Sequence, residues 1–322
     1  MMSEALAQVR ACRQKQRAVA LTLVAMASVQ IGAGVSTWLF DRLTPAGAAW
    51  LRLLWAAVVL LAVARPSLRG RSRADVLAVV YLGGVSGLLT LLYFEAVARI
   101  PLGTATALEF LGPLGVAVVG LRLGSGRWLN LAWPLLAVAG VLALTRPWTG
   151  AVDLVGVAYA LGAAAGWAGY ILLTQRVGHR FTGLSGLALS MTAATLVVTP
   201  LSPVGAVLGA LDARVLLVSL GAALLLPILP YACEMLALRR LHSSSFGTLM
   251  SLEPAIGTIV GLVLLAQVPN GWQLAGVALV VIAGVGAIRA DDHATNGPTA
   301  GELPATPGLA SDDDPWRSRT VR

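Results

Sequence analysis

Charge is the scarcest commodity in this 322-residue chain. Asp, Glu, Lys and Arg make up only 12% of it, against the ~25% usual in a soluble domain. A surface wetted on every side cannot be built from so few charges, so a soluble globular protein is excluded. Lysine is nearly missing: Lys15 is the one lysine among 23 basic residues. The three histidines, His179, His242 and His293, fall in predicted loops or the tail. The two cysteines, Cys12 and Cys233, fall in a tail and a predicted span. Neither a disulfide framework nor a metal cluster can be read from them. The phosphate-binding loop G-x-x-x-x-G-K-[ST], the zinc motif H-E-x-x-H and the nucleophile elbow G-x-S-x-G are also absent. These absences argue against direct use of ATP and against an enzyme, and they call for no cofactor.

Apolar residues are what the chain has. They form 57% of it, and the mean hydropathy is +0.80. They occur in blocks of roughly 20, enough to cross ~30 Å of hydrocarbon at ~1.5 Å per residue. The ~10-residue alternating segments of a membrane barrel do not occur. The sequence therefore predicts an all-α integral membrane protein. Ten transmembrane helices are expected, near 18–38, 47–64, 75–97, 101–122, 128–145, 153–174, 184–204, 214–237, 245–266 and 270–288. Segment 1–17 precedes them. From 289 the composition turns to Asp, Pro, Gly, Ser and Thr, which predicts a disordered tail over 289–322.

The net charge of +8 would suggest nucleic acid in a soluble chain. Here the basic residues sit in short loops, and they set orientation instead. With the N-terminus inside, the inner segments hold Arg10, Arg13, Lys15, Arg17, Arg65, Arg69, Arg71, Arg73, Arg122, Arg127, Arg176, Arg180, Arg239, Arg240 and Arg289. The outer loops hold only Arg42, Arg99, Arg146 and Arg214. Both termini are expected in the cytoplasm.

The two halves resemble each other. Residues 96–120 align without gaps on 237–261, so that Arg99 meets Arg240, Pro113 meets Pro254 and Gly120 meets Gly261. After a three-residue insertion Trp128 meets Trp272 and Gly140 meets Gly284. Five spans per repeat, over 18–145 and 153–288, place the halves upside down relative to each other. Inverted repeats are a recurrent transporter design, with a midplane site that rocking opens to either side. Three glycine pairs, Gly83 and Gly87, Gly162 and Gly166, Gly257 and Gly261, put small residues on one helix face for close packing.

Of six glutamates, four lie in predicted spans: Glu95, Glu109, Glu234 and Glu253. A charge at mid-bilayer costs at least ~2.5–3.5 kcal/mol, so each needs a partner, a proton or a polar cavity. Glu109 follows Pro101 by eight residues and Glu253 follows Ser245 by eight, which puts both about 12 Å into their helices. Under the repeat alignment Glu109 matches Met250, which shares a helix face with Glu253. Both acids are therefore expected to look into one cavity as substrate or proton sites. Glu95 stands four residues before Arg99, a spacing for a local ion pair. Glu234 lies beyond Pro227 and Pro230, which should bend the helix and free carbonyls. Arg52 either snorkels or faces the cavity to hold a carboxylate. Trp167 and Tyr170 are candidate cavity-lining aromatics.

Five blocks carry a family resemblance: Ser28 to Gln30 (SVQ), Ala107 to Pro113 (ALEFLGP), Gly166 to Tyr170 (GWAGY), Leu229 to Tyr231 (LPY) and Phe246 to Pro254 (FGTLMSLEP). Over about 18–288 the chain resembles the drug/metabolite transporter superfamily in its EamA-domain branch, and within it the inner-membrane threonine/homoserine exporters. The resemblance implies two five-helix EamA repeats in the bacterial inner membrane, exporting small neutral amino acids. It adds Gln30 to the candidate site residues. Protons are the expected energy source and lipids the surrounding partners; nucleic acid is not one. Where the family often has Gly-Glu at the end of the ninth span, this chain has Ala266 and Gln267, so an ionic role there is lost. Export of another metabolite, such as an aromatic amino acid, a purine or a drug-like cation, is the alternative within transport. A receptor or scaffold with a dry, filled centre is the alternative outside it.

Overall fold

The computed structural model describes residues 2–67, 71–116, 119, 132–146, 153–178, 181, 184–230, 233 and 249–295. Glu234, the segment after 295 and most of the predicted inner loops lie outside the described residues. Helices account for nearly all of what is described: α1 (Met2–Thr37), α2 (Phe40–Ala64), α3 (Arg73–Val97), α4 (Leu102–Glu109), α5 (Ala132–Thr145), α6 (Leu154–Gly178), α7 (Ser185–Val198), α8 (Val204–Gly209), α9 (Ala213–Ala223), α10 (Glu253–Leu265) and α11 (Gly271–Thr295). Four stretches are long and apolar enough to cross a membrane: Gln16–Thr37, Phe40–Ala64, Arg73–Val97 and Leu154–Thr174. Six shorter apolar helices accompany them, Leu102–Val116, Ala132–Thr145, Ser185–Leu201, Ala213–Ile228, Glu253–Leu265 and Gly271–Ala287. The protein is an all-helical, multi-pass membrane protein.

Helix ends differ from the sequence reading where local chemistry decides them. The α2 helix is expected from 47 but is counted from Phe40, with a break at Thr44 (φ 59, ψ 161). Pro45 fits the first turn after that break, and the Thr44 hydroxyl caps it by accepting from the Gly47 N–H at 3.2 Å. Helix α11 runs to Thr295 instead of stopping at 288; no Gly or Pro stands between Gly286 and Gly297 to end it earlier. Between α9 and α10 the chain bends as the prolines suggest. Residues Leu224–Ile228 form a π-type turn around Pro227, with Leu226 out of helical geometry. Ser28 on α1 donates to the Leu225 carbonyl at 3.0 Å, one of the groups that bend releases.

All three glycine pairs stand at close helix crossings. A Cβ on Gly83 would lie 2.6 Å from the Ala193 side chain and 2.9 Å from the Ala194 nitrogen on α7; one on Gly87 would meet the Ala194 carbonyl at 2.8 Å. Gly162 and Gly166 on α6 approach Leu92 and Leu89 of α3 in the same way, at 3.2 Å. Helix α3 is thus clasped by α6 on one side and α7 on the other. Gly257 lets α10 reach Gln30 and Thr106. Substituting Gly83→Leu is expected to cost about 1–3 kcal/mol through overpacking. A lowered unfolding temperature of the purified protein in detergent would register this; an unchanged one would contradict the tight crossing.

Two ion pairs join distant elements at the bundle's edge. Arg42, in the first turn of α2, pairs with Asp212 before α9, and Arg99 after α3 pairs with Asp153 before α6 at 3.5 Å. Arg99 therefore does not form the expected pair with Glu95. Asp153 is better placed because it also caps α6, accepting from Val155 at 2.8 Å and Gly156 at 3.1 Å. Asp212 caps α9 through Val215 at 2.7 Å. These amide bonds, seconded by the arginines, hold both carboxyls below their ordinary value. Any stabilisation they give is complete above the usual carboxylate range near pH ~4 and is lost as pH falls below it. Both pairs are half exposed, so that contribution is small.

Candidate functional site

The polar groups of the interior converge where α1, α3, α4 and α10 meet. Glu253 opens α10, with Pro254 behind it in the first helical turn, and it is only 3% exposed. Its Oε1 accepts from the Gln30 amide on α1 at 3.2 Å. The Gln30 carbonyl oxygen accepts in turn from the Thr106 hydroxyl on α4 at 3.0 Å, and Tyr93 on α3 donates to it at 3.5 Å. Tyr93 and Thr106 share a hydrogen bond of 2.8 Å. One buried network therefore ties four helices to one carboxylate. Gly257, one turn along α10 from Glu253, makes it sterically possible, since a Cβ there would stand 3.0 Å from both the Gln30 oxygen and the Thr106 hydroxyl.

Glu109 ends α4, at the turn before the short helix that continues to Val116. It is partly buried and lies within electrostatic range of Glu253 and of Arg52. Arg52 on α2 is 5% exposed, so it does not snorkel to the boundary. Its guanidinium stacks over the Phe94 ring, 4.6 Å from the centroid. The structure thus gathers Gln30, Arg52, Glu109 and Glu253 in one region. Trp167 on α6 stands edge-on to Phe110 with centroids 6.3 Å apart. It packs with Ala107, Phe110 and Val280, next to the Glu109 segment but not in the hydrogen-bond network. Tyr170 lies elsewhere, packed near Val79, Leu82 and Phe181. Tyr93, Thr106 and Phe94 were not singled out in the sequence. Their signal is weak because Tyr, Thr and Phe are ordinary residues in a span; only Thr106, three residues before Glu109, stands on the acid's own face.

A cleft of about 320 Å³ lies toward the other end of the same helices. Its lining includes Thr104 of α4, Thr258 of α10, Gln267, Asn270 and Gln273. Gln267 does more than replace an acid. Its side-chain oxygen accepts from the Leu102 N–H at 2.9 Å, capping the start of α4. Ala266 takes the left-handed conformation (φ 53) that ends α10 and turns the chain there. A carboxylate accepts at a helix N-terminus as well as an amide does. Gln267→Glu is therefore expected to keep the fold and the transport rate. Gln267→Leu removes the cap and should cost about 1 kcal/mol. Comparing unfolding temperatures checks this, and equal values for the two variants would contradict the capping role.

A bundle of apolar helices with charged and amide side chains gathered in its interior marks a polytopic membrane protein with a polar centre. The comparisons with known proteins agree. The pattern of the EamA-like transporter family matches residues 154–289. The threonine/homoserine exporter RhtA of Escherichia coli strain K12 is 35% identical over 271 residues, 83% of this chain and 90% of that protein. RhtA of Salmonella typhimurium strain LT2 is similar to the same extent. A probable terminal-alkyne amino-acid exporter of Streptantibioticus cattleyicolor is 29% identical over 276 residues, 83% of this chain and 91% of its own. A protein of known crystal structure, 19% identical, superposes on 85% of this chain and 98% of its own with a TM-score of 0.53, which shows a shared fold. The chain belongs to the EamA-like transporter family, in its RhtA-like group. That family consists of transporters, not enzymes.

Proposed function

We propose that the protein is a secondary transporter that exports small neutral amino acids, threonine and homoserine first, across the bacterial inner membrane. The observation that carries this reading is the 35% identity to threonine/homoserine exporters over 83% of the chain. The interior chemistry suits such a cargo. Two carboxylates, one guanidinium and an amide–hydroxyl network complement a small zwitterion with a polar side chain. The 29% identical amino-acid exporter supports the same substrate class with a different side chain.

The mechanism we infer is alternating access by ten spans in two inverted five-helix repeats. The ten apolar helices each overlap one predicted span, and three of the four predicted outer arginines meet groups in an outer loop or within three residues of the outer end of another predicted span: Arg42 with Asp212, Arg99 with Asp153, and Arg146 over the Trp272 ring at 5.6 Å. Glu109 and Glu253 sit where α4 and α10 break or begin, which is where inverted-repeat transporters hold substrates and coupling ions. A cleft lined by Thr104, Thr258 and Gln267 opens between the same two helices, toward the other end of each. Proton exchange at one of these acids would couple export to the proton gradient.

Cells preloaded with labelled threonine, homoserine and a panel of other metabolites test the substrate. Expression of the protein should speed loss of the first two; faster loss of a purine or drug-like cation with unchanged threonine would overturn the reading. Orientation has its own test. In a chain with Cys12 and Cys233 replaced by serine, Ala210→Cys should react with an impermeant thiol reagent added outside. Ser67→Cys and Gln175→Cys should stay protected. The reverse labelling would contradict inverted repeats with cytoplasmic termini.

A further inference from the structure

Arg52 is the feature the network above leaves unexplained. It is 5% exposed, and its Nε is buried with no hydrogen-bond partner among the described residues. Its guanidinium lies over the Phe94 ring, 4.6 Å from the centroid, and Tyr93 and Glu109 act on it through space. Arg52 takes part in neither of the ion pairs described above, those of Arg42 and Arg99. Phe94 attracts the cation through its ring face but accepts none of its N–H bonds. A guanidinium presents five donors in a planar fork that matches a carboxylate in bidentate fashion. To keep such a group inside an apolar bundle without a fixed acceptor is costly. The cost is explained if the acceptor arrives with the cargo.

We propose that Arg52 is the binding residue for the α-carboxylate of the transported amino acid. The acidic side of the same region, Glu109 and Glu253, faces the ammonium end. The site then reads the zwitterionic head and leaves the side chain loosely specified. This rests on the amino-acid reading given above. It also accounts for how relatives of this chain that export threonine, homoserine or an alkyne-bearing amino acid share one scaffold.

The test uses the full-length protein in liposomes and counterflow of labelled threonine, with unlabelled threonine, threoninamide and N-acetylthreonine as competitors. Threoninamide keeps the ammonium and lacks the carboxylate; N-acetylthreonine does the opposite. For the wild type, threoninamide should compete about 10–100-fold more weakly than threonine, the worth of a charge-assisted hydrogen-bonded pair. In Arg52→Gln that preference should collapse toward equality as threonine affinity falls by a similar factor. Arg52→Lys keeps the charge without the fork and should fall between; it also serves if the glutamine variant fails to fold. Equal competition by threoninamide in the wild type would overturn the proposal, as would an undiminished preference in both variants. If Arg52 served only as a counter-charge to Glu109, its variants would shift the pH profile and keep the preference. Failure of the wild type to move threonine or homoserine at all would instead overturn the substrate reading on which the proposal stands.

Discussion

Glu253→Gln is expected to insert and fold normally, yet to lose proton-driven export, falling to background while substrate exchange persists. Glutamine matches the volume of glutamate and still offers an oxygen to the Gln30 amide, which donates to Glu253 at 3.2 Å. The network geometry is therefore kept and only the capacity to gain and lose a proton is removed. Glu109→Gln makes the companion test, because Glu109 lies within electrostatic range of both Glu253 and Arg52. If one acid carries the proton, its variant should uncouple export from the pH gradient. The other variant should weaken substrate affinity while pH dependence remains. The check is efflux from preloaded vesicles at several imposed pH differences. Wild-type, pH-dependent efflux by both variants would refute proton coupling at this pair.

Gln30→Leu should be nearly as damaging, by a different route. The Gln30 side chain is 1% exposed and serves three elements at once: Glu253 on α10, Thr106 on α4 and Tyr93 on α3. Leucine fills similar space and satisfies none of them. Each buried polar group left unmatched costs about 1–3 kcal/mol, so a drop in unfolding temperature should accompany loss of transport. Gln30→Glu separates the two effects. It restores acceptors for Thr106 and Tyr93 but sets a second carboxylate against Glu253. It should fold better than the leucine variant and still transport poorly. Wild-type transport by the leucine variant would show that the network is not part of the site.

The acids were legible in the sequence because a charge in an apolar span is expensive, so each one marks itself. Counting residues from the span ends put Glu109 and Glu253 about 12 Å into their helices, whereas α4 ends at Glu109 and α10 begins at Glu253. Gln30 was visible only through a family block, and its partner lies 223 residues away, a distance no periodicity reports. Tyr93 and Thr106 carry no charge and belong to the usual composition of spans, so nothing set them apart. Arg99 misled for a physical reason: the i, i+4 spacing to Glu95 is favourable in an isolated helix, but a carboxylate already fixed as the α6 cap competes for the same guanidinium. Trp167 and Tyr170 are three residues apart on α6, and their fates differ because neighbouring helices do. One meets Phe110 beside Glu109, the other Leu82 and Phe181. The ends of α2 and α11 depended on Thr44 and on the lack of a Gly or Pro between Gly286 and Gly297, local details that an apolar window averages away.

This protein alone should suffice to move small neutral amino acids across a membrane. Purified protein in liposomes loaded with unlabelled threonine, diluted into labelled threonine, tests it with no other carrier present. Label should accumulate transiently inside, an effect suppressed by added homoserine and absent from protein-free liposomes. Protein-bearing liposomes that accumulate no more labelled threonine or homoserine than empty ones, while the protein remains folded, would contradict it.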